Sequence, residues 1–91
     1  MPVFMIGYDL HSPNEGNYDQ LFTALETLGA AYWDCLDATW LIETTTTAAQ
    51  IRDHLEPYLQ PGDRLLVMRY GGDAAWLGFE QVCETWLEDR L

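Results

Sequence analysis

Val3-Phe4-Met5-Ile6-Gly7-Tyr8-Asp9-Leu10, followed by His11-Ser12-Pro13, is the stretch around which the rest of the chain is arranged. An apolar run this short, rich in β-branched and aromatic types and closed by a Ser-Pro turn signal, reads as a strand buried on both faces and therefore central in a sheet. Asp9 falls at its carboxyl end, where the chain must leave the sheet. A carboxylate is thus delivered to the rim of the core, with His11 two residues further on. An aspartate before a turn also serves to accept backbone N–H bonds from the loop that follows, and position alone leaves both roles open.

Beyond that strand, Ser12-Pro13-Asn14-Glu15-Gly16 is a turn cluster and Asn17 is placed as a helix N-cap. Tyr18, Leu21, Phe22, Leu25 and Leu28 then recur at the three-and-four spacing of one buried helix face, and Gly29 stops the helix where a left-handed residue is cheapest. From Ala30 to Thr44 the pattern is extended, with Tyr32-Trp33 and Thr39–Thr44 separated by the turn-like Asp37-Ala38, which predicts a β-hairpin. Thr47-Ala48-Ala49-Gln50 matches a capping box, opening a second helix with Ile51, Leu55, Tyr58 and Leu59 inward and Pro57 ending its regular part. Arg64–Tyr70 has an unbroken apolar centre and reads as a second central strand. Ala74-Ala75-Trp76 reads as a short extended piece, and Phe79, Val82, Cys83, Trp86 and Leu87 form the stripe of a last helix.

Strand, helix, strand, strand, helix, strand is the split βαβ order. The expected fold is therefore α+β, a ferredoxin-like βαββαβ sandwich with an added C-terminal helix, formed as a single domain by residues 1–91. Two helices on one sheet face leave the other face bare unless something packs on it. Four tryptophans and five tyrosines exceed the needs of one small core, so a homodimer is expected to use some of these rings. The alternative cover is the C-terminal helix of the same chain.

Fifteen acidic residues stand against four arginines and no lysine, for a formal net charge of −11. Affinity for a phosphate backbone comes mainly from Lys and Arg displacing counterions, and Arg52, Arg64, Arg69 and Arg90 are too few to line a nucleic-acid groove. The acidity suits cations or a basic partner protein, and it equally suits a salty cytoplasm. No apolar run reaches membrane-spanning length and the N-terminus lacks the charged region of a secretion signal, which predicts a soluble, cytoplasmic protein with no membrane contact. Cys35 and Cys83 are too few and too distant for a metal motif and read as buried thiols without a redox role.

The Tyr8-Asp9-Leu10 strand end, the Asn17-Tyr18 helix start, Thr39-Trp40-Leu41, Ile51-Arg52-Asp53, and the late Gly72-Asp73 with Trp76 and Gly78 occur in an order and spacing that resembles the SinR family. That group is small and bacterial and is counted among relatives of the CRISPR-associated Cas-two proteins. The resemblance implies a ferredoxin-like homodimer with an aspartate at the end of the first strand, at the dimer interface, and Asp9 matches that position. Paired Asp9 carboxylates would hold Mg²⁺ or Mn²⁺, hard cations that prefer oxygen ligands, for endonuclease or ribonuclease chemistry. Tyr8 and His11 would orient substrate or carry a proton. Asp73 would join Asp9 at the same rim if the last strand lies beside the first.

Two functions follow from this sequence. One is a Cas-two-like, defence-associated homodimer that binds through its acidic surface without catalysis, and the charge favours it. The other is the metal-dependent nuclease built on Asp9. Trp40 and Trp76 read as packing residues, because base-stacking platforms sit in positive grooves. His54 reads as a helix-surface residue, and Asp34 and Asp37 as solvated turn acids.

Overall fold

A computed structural model describes residues 1–11 and 18–91. The turn expected at 12–16 and the Asn17 cap lie outside the described residues. Among the described residues eight elements follow one another: β1 (Val3–Asp9), α1 (Asp19–Thr27), β2 (Ala31–Leu36), β3 (Thr39–Glu43), α2 (Ala48–Leu55), a 3-10 turn (Glu56–Tyr58), β4 (Arg64–Arg69) and α3 (Gln81–Arg90). The strands form one antiparallel sheet in the order β2-β3-β1-β4. The chain is thus α+β, and its strand order is compatible with the ferredoxin-like plan.

Period-two alternation divides the sheet into two faces. Phe4, Ile6, Trp40 and Ile42 turn to one side, where Leu21, Ala24 and Leu25 of α1 and Ile51 and Leu55 of α2 close the main core over them. The Thr47 hydroxyl accepts the Gln50 N–H at 3.2 Å and starts α2 as the capping pattern predicts, although the Gln50 side chain reaches Thr46 rather than back to the cap. Pro57 ends the regular helix, which tightens into the 3-10 turn.

Four expectations change. β4 is an edge strand, paired only with β1, and of its apolar run Leu65 and Val67 turn to the core face while Leu66 and Met68 turn to the other, less covered face. Gly29 does not adopt the left-handed conformation; the glycines that do, among the described residues, are Gly62, Gly72 and Gly78. Gly29 is instead required by close approach, since a β-carbon there would collide with the Glu43 carbonyl oxygen. Residues 74–76 form no strand. Finally, Val82 is 73% exposed and Leu87 is the only buried residue of α3, so the last helix rests on a narrower stripe than its sequence suggests.

Cys35 and Cys83 are joined as a disulfide, correcting the expectation of two buried thiols. The bond ties β2 to α3 across 48 residues of sequence. Closing a loop of that length stabilises a fold by about 4 kcal/mol in the chain-entropy account.

Candidate functional site

Register and alternation put Val3, Met5, Gly7 and Asp9 of β1 on the second sheet face, beside Leu66, Met68 and Arg64 of β4 and Thr39 and Leu41 of β3. The C-terminal segment covers only the Val3 end of this face. There Val3, Trp33 and Leu87 are buried, the Trp33 ring meets Phe79 edge-on at 5.1 Å, and its Nε1–H donates to the Cys83 carbonyl at 3.1 Å. Tyr70 donates to the Leu91 carbonyl at 3.2 Å, which anchors the end of the chain. Towards the Asp9 end the cover stops: Leu36, Leu66 and Met68 are 46%, 54% and 51% exposed, and a β-carbon built on Gly7 meets nothing within 4 Å. A mainly apolar cavity of about 400 Å³ lies at the boundary, with Met5, Leu41, Met68, Trp33, Trp76 and Phe79 in its walls.

Asp9 is exposed at the rim of this open face, and Arg64 is its cross-strand partner on β4. Among the described residues no hydrogen bond or ion pair reaches the Asp9 side chain. Tyr8, its neighbour in the strand, necessarily points to the other face. There its hydroxyl accepts Trp40 Nε1–H at 3.1 Å and lies 3.4 Å from the Asp37 carbonyl it donates to. Burial raises the Tyr8 pKa, the Trp40 bond opposes that rise, and the Asp34 and Asp37 carboxylates add to it, so the phenol stays protonated at working pH. Asp9 and Tyr8 therefore do not converge on one reacting atom. Asp73 is at the opposite end of the sheet, because β4 runs antiparallel to β1 and leaves it beside Val3, where Tyr70 N–H donates to the Val3 carbonyl at 2.8 Å. The juxtaposition expected for Asp9 and Asp73 does not occur.

His11 is held by Asp63, in the turn that precedes β4. One oxygen of Asp63 accepts the His11 backbone N–H at 2.6 Å and the Tyr18 hydroxyl at 3.0 Å; the other accepts the Gln60 N–H at 2.6 Å. Gly62, at φ +90°, completes the turn, and the His11 ring covers it. This clasp joins the exit of β1 to the entry of β4. Desolvation acts to raise the Asp63 pKa, but the bonds from His11, Gln60 and Tyr18, with the His11 charge, outweigh it and hold the carboxyl below its ordinary value. A folded-state pKa below the unfolded value gives stability that is present above the unfolded pKa and is lost as pH falls through the folded one. Asp63→Asn is accordingly expected to flatten the acid side of the stability profile; urea midpoints measured from pH 7 down to pH 2 in both proteins check this, and parallel profiles would contradict it.

The four arginines are dispersed. Arg52 pairs with Asp53 at 3.0 Å, and Arg90 lies 3.7 Å from Glu43 and 4.6 Å from the Trp86 ring centre. Arg64 and Arg69 stand on β4 and, by alternation, face opposite ways. No basic groove forms among the described residues. Trp40 is core, His54 is exposed on α2, and Asp34 and Asp37 are exposed beside the hairpin turn, as expected. Among the described residues no three His, Cys, Asp or Glu side chains gather as a metal centre would require, and no helix is long and apolar enough to cross a membrane. Compared with known proteins, the chain matches no family model and no solved structure.

Proposed function

We propose that this chain is a cytoplasmic, homodimeric binding module of the Cas-two-like, ferredoxin-like kind, acting without catalysis in a defence-associated role. The observation that carries the reading is the half-covered sheet face, where Leu36, Leu66 and Met68 are exposed next to Met5 and Gly7 while the opposite face is a closed core. An apolar patch of this kind, rimmed by the charged pair Asp9 and Arg64, suits a self-complementary two-fold contact in which each copy supplies both halves of the rim. The outer surface then carries the acidity: Asp19, Glu26, Glu56, Glu80, Glu88 and Asp89 are all exposed. Such a field steers basic protein partners and repels nucleic acid.

A divalent-metal nuclease is the second reading. Its support is that Asp9 shares the open face, so a two-fold axis there would bring two carboxylates together. The residues of a single chain do not suit Mg²⁺ or Mn²⁺, because Asp9 contributes one carboxylate and its strand partner is the guanidinium of Arg64.

Isothermal titration of Mg²⁺ and Mn²⁺ into the wild-type protein and Asp9→Asn separates the two. The binding-module reading expects no saturable site in either protein. Saturation near one metal per two chains that vanishes in Asp9→Asn would overturn it in favour of the nuclease.

A further inference from the structure

We propose that the Cys35–Cys83 disulfide is a reversible latch, opened by a dithiol, that holds the C-terminal segment from Gly71 to Leu91 against the sheet. The inference goes beyond the dimer and does not depend on it.

The protein has two separate apolar regions. The main core of Phe4, Ile6, Leu21, Leu25, Ile42, Ile51 and Leu55 closes between the sheet and the first two helices and owes nothing to the C-terminal segment. The second region, on the other sheet face, depends on that segment. Its noncovalent ties among the described residues are few: Leu87 is the only buried residue of α3, Phe79 meets the Trp33 ring edge-on, and the hydrogen bonds are those from Trp33 to Cys83 and from Tyr70 to Leu91. The Arg90 ion pair is imperfect, with Nε buried, 3.7 Å from Glu43 and without a hydrogen bond. A buried donor left without a partner weakens the docked state.

An isolated helix of ten residues is not stable in water, so α3 is expected to lose its structure once it leaves the sheet.

Both half-cystines are partly exposed, which gives a reductant access. A thiolate of the dithiol attacks one Sγ, forms a mixed disulfide and expels the other Sγ as thiolate. The second thiol of the reagent then attacks the mixed disulfide, closes its own ring and releases the remaining cysteine. Cys35 and Cys83 together gain two electrons and two protons, and the dithiol loses the same number. In a reducing compartment a disulfide of this kind is a sensor rather than a permanent staple.

The test is amide hydrogen exchange on oxidised protein and on protein treated with dithiothreitol, with free thiols counted to establish full reduction. Amides of Glu84–Arg90 are expected to exchange about a hundredfold faster after reduction, the loop-closure factor for a loop of about a dozen residues running from the end of β4 to Cys83 while the sheet stays folded, and those of β1, β3 and α2 keep their rates. Reoxidation should restore protection, and the double variant Cys35→Ser with Cys83→Ser should behave as the reduced protein does without any reductant. Unchanged α3 protection with both thiols free would overturn the latch. So would loss of protection throughout the chain, which would make the bond a staple of the whole fold, or a disulfide that resists dithiothreitol in the native protein.

Discussion

Leu66→Glu combined with Met68→Glu is expected to hold the chain as a monomer, weakening self-association by at least about a hundredfold, with little change in its own unfolding. Both side chains lie on the open sheet face and are already more than half exposed, so neither substitution empties a cavity in the main core. In a two-fold dimer each change occurs twice, which places four new carboxylates in an apolar contact between chains that are each strongly acidic. Sedimentation velocity gives the association constant and urea denaturation of the monomer gives the stability. A double variant that associates as tightly as the wild type would place the contact elsewhere.

Gly29→Ala is expected to cost about 1–3 kcal/mol, the range for forcing extra volume into a site that has no room. Its β-carbon would meet the Glu43 carbonyl oxygen, Thr44 Cβ and Ile42 Cγ2, and that carbonyl is already fixed by accepting the Ala30 N–H at 2.9 Å. None of these three atoms is the loose end of a flexible side chain, so the connection from α1 to β2 must shift. Gly71→Ala, whose β-carbon meets nothing within 4 Å, is the control and should leave the urea midpoint in place. Equal midpoints for the two variants would contradict the close approach.

The elements on the closed face of the sheet were legible because their signals are local. Alternation in β1, the three-and-four spacing of Leu21, Leu25 and Leu28, and the Thr47 cap each reside in one short window of sequence. The edge position of β4 was not legible, because Leu65-Leu66-Val67-Met68 reads the same with one or two strand neighbours, and the same whether or not both faces are covered. What covers a face is decided by distant residues. The same holds for Asp63, which looks like an ordinary turn aspartate until His11 and Tyr18, 52 and 45 residues away, bind to it. The disulfide pairs two cysteines whose spacing carries no motif. For the candidate site, the placement of Asp9 at the end of a central strand was legible. The divergence of Tyr8 from Asp9 was also readable in principle, since adjacent strand residues point to opposite faces. Trp33 and Trp40 are buried within the chain, and the large apolar side chains exposed on the open face are Leu36, Leu66 and Met68.

Self-association through the open sheet face is tested most directly by the mass of the oxidised wild-type protein in solution at micromolar concentration, measured by sedimentation equilibrium at moderate salt. The expected value is twice the 10.4 kDa mass of the chain, returning to the single-chain value in the Leu66→Glu, Met68→Glu double variant. A wild-type protein that sediments as one chain throughout that range would contradict it.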